Sequence, residues 1–204
     1  LAGTNGEWPD RLYQGSTVAL DHRTGALVWW AQHHSDMWND DSVYDRILVD
    51  AKLNPSAPNS LGQNPDIDSD QTRELVIGSF SKDAIFYVYD RTDGSFLYAR
   101  PTAYQNVIRS YDGATGAYTT EPDAIMTAEE GREATICREN RQIPQGAYSP
   151  LTNAYYVPAF NGPCSVMSMR STEPTIETGY NTTYSATVPS PAAQLGQPES
   201  TDLT

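Results

Sequence analysis

Short apolar runs separated by turns bearing aspartate, threonine and glycine set the pattern from Thr17 to Met169. The first unit is the clearest. Thr17 to Leu20 is an apolar run, Asp21-His22-Arg23-Thr24-Gly25 is a turn, and a second run opens at Ala26 and delivers Trp29. Gly25 suits the positive φ of a hairpin turn, and the Asp and Thr side chains can bond turn amides. The same turn recurs at Asp90-Arg91-Thr92-Asp93-Gly94, with Tyr98 at the place of Trp29. It recurs again at Asp112-Gly113-Ala114-Thr115-Gly116 and, with Asn153 replacing glycine, at Ser149 to Asn153. Asparagine is the other residue that tolerates the left-handed region.

Further strands are expected at Arg46–Asp50, Leu75–Phe80, Ala84–Tyr89, Ala154–Ala159 and Ser165–Met169, all short and rich in β-branched and aromatic residues. Only Asp123–Arg132 has a helical pattern. The wide gap between the first two turns predicts an insertion, and the polar, proline-rich stretch Lys52–Glu74 fits a loop there. A hairpin design repeated four times implies a stacked β array. At about 40–45 residues per blade the chain holds roughly four propeller blades at most. Residues 1–170 are read as this partial propeller. Residues 171–204, dominated by Ser, Thr, Pro and Gln, are read as an irregular tail or linker.

Composition narrows the function classes. With 26 acidic against 13 basic side chains, the formal charge is −13. Nucleic acid is not expected as a partner, because phosphate binding draws on basic patches. No apolar run approaches the ~20 residues of a membrane-spanning helix. The chain opens at Leu1 in mid-pattern, which reads as a processed chain or a fragment. Cys137 and Cys164 are compatible with two thiols in the cytosol. Together with the sequon Asn181-Thr182-Thr183 they favour a disulfide, glycosylation at Asn181 and an oxidising compartment, secreted, extracellular or periplasmic.

Candidate chemistry gathers after Trp29. His33, His34, Asp36, Asn39, Asp40 and Asp41 crowd one stretch, an oxygen-rich set that suits Ca²⁺ or another hard cation; the same set also reads as an acidic surface loop over Trp38. Adjacent His33 and His34 point to opposite faces of a strand and form no paired site by themselves.

Four blocks occur in order: Ala19 to Trp29, His34 to Asp41, Ser81 to Gly94, and Gly146 to Pro150. Together they resemble the middle and later part of the pyrroloquinoline quinone (PQQ) dependent alcohol dehydrogenases, over roughly residues 1–168. The resemblance implies all-β architecture, about four blades of an eight-bladed propeller, with PQQ and Ca²⁺ or a lanthanide on the axis. It implies that each turn-motif Trp docks between blades. It also implies that further blades, from another segment or subunit, complete the ring.

Residue by residue, the resemblance places Asn39 where the family has the aspartate base that takes the alcohol proton, and an amide is no base at neutral pH. Asp40 replaces that base only if the strand slips by one residue, which reverses its facing. Asp41 falls at an extra metal carboxylate of lanthanide-type members, and Asn5 resembles the family's amide metal ligand. Lys82 aligns with a basic residue that contacts the quinone oxygens; as a residue it also reads as a turn lysine in solvent. Gln142-Ile143 stands where the family has Asn-Trp beside the cofactor. Cys137 and Cys164 align with a family disulfide. Two functions follow: a PQQ-dependent alcohol dehydrogenase, or a secreted propeller that has lost the reaction and keeps a structural or binding role.

Overall fold

The computed structural model describes residues 13, 15–34, 42–55, 59–125, 132–138, 145–158, 164–170, 181–188 and 200–202, with backbone alone after Ser168. Among the described residues the only helical element is a single 3₁₀ turn, Pro122–Ala124; most of the helical stretch expected at Asp123–Arg132, residues 126–131, lies outside the described residues. Proline at its start supplies the helical φ and gives no hydrogen-bond donor.

β1 (Ser16–Leu20) pairs with β2 (Leu27–Gln32) as a hairpin. β3 (Ile47–Lys52), β4 (Gly62–Gln63), β5 (Thr72–Gly78), β6 (Ile85–Asp90) and β7 (Phe96–Pro101) form one antiparallel sheet in the spatial order β3-β5-β6-β7-β4. β8 (Ile108–Tyr111) and β9 (Tyr118–Thr120) make a second hairpin. β10 (Glu133–Ile136), β11 (Ala147–Ser149), β12 (Ala154–Tyr156), β13 (Cys164–Arg170), β14 (Asn181–Val188) and β15 (Ser200–Asp202) build two three-stranded sheets. Their orders are β10-β13-β14 and β11-β12-β15.

The five-stranded sheet is buried on both faces, and β6 shows why its sequence is an unbroken apolar run. Ile85, Tyr87 and Tyr89 enter one core cluster with Val76, Phe80, Phe96, Ile108 and Tyr111. Phe86 and Val88 point the other way, into a cluster with Leu75, Ile77, Leu97, Tyr98 and Tyr155. Alternate facing of successive residues divides the run between two cores.

All four turns close as the pattern implied. Gly25, Gly94 and Gly116 have φ of 71°, 77° and 72°, and Asn153 has 49°. Asp21 Oδ1 accepts from the amides of Arg23 and Thr24 and from the Thr24 hydroxyl, at 2.9, 2.8 and 3.0 Å. Asp112 repeats the arrangement with Ala114 and Thr115 at 3.2, 2.8 and 2.7 Å. Bonds from the Thr24 amide and hydroxyl hold the Asp21 carboxyl below its usual range, and Thr115 does the same for Asp112.

The turn glycines serve a second purpose. The Trp29 ring lies so close over Gly94 that a Cβ there would meet it at 2.6 Å, and a Cβ on Gly116 would meet Phe96 at 2.7 Å. Trp29 Nε1 also donates to the Arg91 carbonyl at 3.0 Å, so its one polar atom is satisfied on the same turn. Each aromatic of one hairpin thus seats on the turn of the next.

Three expectations need correction. Tyr98 occupies the motif position of Trp29, yet Phe96 covers the next turn. The two hairpins share one register, with shifts at Ala19/Leu20 and Val88/Tyr89, but Tyr98 turns into the other core. The Lys52–Glu74 loop contains β4 and the start of β5. The expected irregular tail carries β14, paired with β13, and β15, paired with β12. Low apolar content masked the β-propensity of Thr182-Thr183-Tyr184 and Thr187-Val188. Smaller differences lie at strand ends: the strand expected through Phe80 stops at Gly78, and that expected through Ala159 stops at Tyr156.

Gly94→Ala is expected to destabilise more than Gly25→Ala in urea unfolding. Both force alanine into the left-handed region at about 1–2 kcal/mol. Gly94 adds a further ~1–3 kcal/mol for the clash with Trp29, whereas a Cβ on Gly25 meets nothing within 4 Å.

Candidate functional site

β2 ends in Gln32, and the next two residues turn into the core. His33 and His34 are both fully buried. Both lie past the end of β2 and take different partners. His33 Nε2 is 2.8 Å from Thr17 Oγ1, and the ring stacks on Tyr87 and tilts against Phe80, centroids 5.0 Å away in each case. His34 Nε2 is 3.0 Å from Ser81 Oγ and 3.4 Å from Asp83 Oδ2.

Asp83 is the hub. It sits in the turn between β5 and β6, and its side chain is 1% exposed. Its Oδ1 accepts from the Ile85 amide at 3.0 Å, and its own amide donates to Ser81 Oγ at 3.2 Å. Its Oδ2 contacts the Tyr87 hydroxyl. The Tyr87 hydroxyl is 2.9 Å from that of Tyr111, which donates to the His33 carbonyl at 2.8 Å. The next residue, Ala84, has φ of 60° with no side-chain exposure. A non-glycine residue in this region costs about 1–2 kcal/mol, so the surrounding contacts enforce the turn.

Burial dominates the electrostatics. It pushes the Asp83 carboxyl above the usual carboxylate range, opposed by His34, Tyr87, Ile85 and Ser81. It raises the Tyr87 and Tyr111 phenols far above their ordinary value, and nearby Asp83 adds to the effect. It drives the His33 imidazole well below its usual range, helped by Arg46 and His34. Arg46 closes the cluster from β3's side: it donates to the carbonyls of Ser42, Tyr44 and Ser16 and to Thr17 Oγ1, with its guanidinium 4.8 Å from the Phe80 ring centre.

The chain matches no protein-family model. It does match curated proteins over most of its length. It is 29% identical over 153 residues to the dehydrogenase subunit of a quinone alcohol dehydrogenase from Gluconobacter oxydans, covering 74% of this chain and 18% of the relative. A 1-butanol dehydrogenase (cytochrome c) from Thauera butanivorans is 30% identical, covering 76% and 20%. A quinohemoprotein alcohol dehydrogenase from Comamonas testosteroni is 28% identical over 189 residues, covering 85% and 23%. The chain is homologous to the quinoprotein alcohol dehydrogenases. It spans about a fifth of the length of these relatives. Among solved structures, a quinohemoprotein alcohol dehydrogenase from Pseudomonas putida HK5 shares the fold. Its TM-score is 0.63 at 21% identity, covering 81% of this chain and 22% of that one.

Set on that quinoprotein scaffold, the residues singled out from sequence divide into two groups. Asn5, Asn39, Asp40, Asp41, Gln142 and Ile143 lie outside the described residues, and Asn181 opens β14 with its backbone paired to Arg170. Lys82 is described: it is half-buried, between Ser81 and Asp83 in the enforced turn. Cys137 and Cys164 form a disulfide with Cα atoms 4.2 Å apart, tying the end of β10 to the start of β13. Closing a loop of 27 residues contributes on the order of 3 kcal/mol in the chain-entropy model.

Among the described residues no three His, Cys, Asp or Glu side chains form a metal-ligating group. Lys82 fits an anionic or quinone oxygen by charge. Reading residues one at a time missed Asp83, Tyr87, Tyr111 and Arg46 as partners. Their only local trace is a Ser-x-Asp turn ahead of an apolar run and a tyrosine directly before the third turn.

His33 gives the cluster a pH signature. Its folded pKa lies below the unfolded value near 6.5, so the unfolded chain binds the extra proton between the two. Stability from this residue is present above about pH 6.5 and is lost on acidification, by up to about 1.4 kcal/mol per pH unit. Asp83, with its raised pKa, contributes with the opposite sign. Urea melts of His33→Gln between about pH 7 and 5 are expected to show the acid-side slope reduced by close to one proton.

Proposed function

We propose that this chain forms part of the propeller of a PQQ-dependent alcohol dehydrogenase, with Lys82 directed at the quinone oxygens. The observation that carries this reading is homology to quinoprotein alcohol dehydrogenases over 153 and 189 residues, in a chain whose hairpins stack through aromatic-on-glycine seats at Gly94 and Gly116. Bound PQQ supplies a quinone able to accept hydride from an alcohol, with Ca²⁺ or a lanthanide polarising its carbonyl. The chain's own part is to hold Lys82 at a fixed place on a buried, hydrogen-bonded turn. Asn5 and Asp41 are the proposed metal ligands. The disulfide supports a periplasmic or extracellular location.

About four blades belong to this chain in this reading, and others complete an eight-bladed ring. The uncovered surface of the first hairpin supports that. Among the described residues no aromatic seats on Gly25, and Leu20 and Val28 are 59% and 61% exposed, where successive hairpins elsewhere cover one another. Raw sheet edges and bare apolar faces favour pairing with more polypeptide.

Asn39 favours a second reading. With an amide at the position of the family's base, and with Gln142-Ile143 in place of Asn-Trp, the propeller keeps its scaffold and serves a binding or structural role. Asp40 takes the proton in place of that base only if the strand slips by one residue.

The two are separated by loading the purified protein with PQQ and either Ca²⁺ or La³⁺. Quinone absorbance and alcohol-dependent dye reduction are then followed in the native protein and in Asn39→Asp. Turnover by the native protein is the expected result. Cofactor retention without turnover, with activity gained in Asn39→Asp, would establish the decayed site, and no retention with either metal would reject the PQQ reading.

A further inference from the structure

The chain of contacts that ends at the His33 carbonyl holds more oxygen–oxygen pairs than its tyrosines have hydrogens to fill. Asp83 Oδ2 meets the Tyr87 hydroxyl, the Tyr87 hydroxyl meets that of Tyr111 at 2.9 Å, and the Tyr111 hydroxyl meets the His33 carbonyl at 2.8 Å. Each contact takes one hydrogen. The two phenols bring one each, and burial keeps both protonated. An ionised Asp83 only accepts, so two of these buried oxygens would then face each other with nothing between them.

A proton on Asp83 removes the deficit. Asp83 then donates to Tyr87, Tyr87 to Tyr111, and Tyr111 to the His33 carbonyl, while Asp83 Oδ1 still accepts from the Ile85 amide. The neighbouring charges do not demand an ionised Asp83. His34 Nε2 is nearer to Ser81 Oγ, at 3.0 Å, than to Asp83 Oδ2, at 3.4 Å. Arg46 spends its guanidinium on backbone carbonyls and Thr17. Tyr89, also close by, is buried, with its phenol pushed far up.

We infer that Asp83 is a neutral carboxylic acid whose hydrogen completes the Asp83–Tyr87–Tyr111–His33 chain, and that this chain is the positioning device for the turn that carries Lys82. The chain ties β6 and β8 to the end of β2, and it grips the turn from the residue next to Lys82. Ala84, held at φ of 60° on the other side of Asp83, shows that the grip overrides local backbone preference. The link from Lys82 to a quinone rests on the proposed function; the protonation and the grip do not.

An asparagine at this position reproduces the neutral acid: its oxygen accepts from Ile85 and its NH₂ donates to Tyr87. The test uses the full protein, in which Lys52 and Lys82 are the only lysines and Lys52 is exposed. Infrared spectra at neutral pH are expected to show a protonated-carboxyl C=O band in the native protein that Asp83→Asn lacks. Brief acetylation followed by peptide mass spectrometry gives the Lys82 to Lys52 labelling ratio. That ratio is expected to stay at the native value in Asp83→Asn and to rise about fivefold in Asp83→Ala and Tyr87→Phe, as loss of one buried hydrogen bond would cause.

Absence of the infrared difference overturns the neutral acid. A native ratio in Tyr87→Phe, or a rise in Asp83→Asn equal to that in Asp83→Ala, overturns the grip. Should Asp83→Ala fail to fold, the spectra and the Tyr87→Phe and Asp83→Asn ratios decide the matter. Fluorescence titration of the native protein with PQQ reports separately on the proposed function, so its failure leaves these outcomes readable.

Discussion

The seating of an aromatic side chain on the turn glycine of the following hairpin is the contact that makes separate hairpins into one body. Trp29 on Gly94 and Phe96 on Gly116 both require a turn residue with positive φ and no Cβ, so one residue type satisfies two demands at once. Asp21 and Asp112 pin their turns through threonine and backbone amides, which keeps each glycine where the ring can reach it. Burial of the five-stranded sheet on both faces depends on these seats, because without them β6 would expose apolar residues to water on at least one side.

The buried polar cluster is placed by the same stacking. His33 and His34 enter the core only because β2 runs on past Trp29 toward β5 and β6. Tyr111, at the end of β8, reaches the His33 carbonyl because its hairpin is seated on Phe96. Such a cluster is costly unless nearly every polar atom finds a partner, and most here do. Among the described residues His33 Nδ1 has none, in keeping with an imidazole that stays neutral in the fold.

Much of this was legible in the sequence. The four turns, the all-β class and the kinship to quinoprotein alcohol dehydrogenases follow from residues within a few positions of one another, and the Cys137–Cys164 pairing follows from that kinship. The misses have a common cause. Phe96 and not Tyr98 meets the Gly116 turn, a choice made by packing against the third turn and not by spacing from Gly94, since both hairpins share one register. β14 and β15 were overlooked because their strand pairing compensates for few large apolar groups through neighbours β13 and β12, far away in the chain.

By itself the sequence determined the local chemistry: which residues turn, which run is buried on two sides, and which positions could carry charge. Those outcomes depend on φ preferences, side-chain polarity and a two-residue period, all local properties. Only the tertiary structure decided that Asp83, Tyr87, Tyr111 and His33 share one hydrogen-bonded line, because nothing in the spacing of residues 33, 83, 87 and 111 encodes which oxygens meet once the hairpins are stacked.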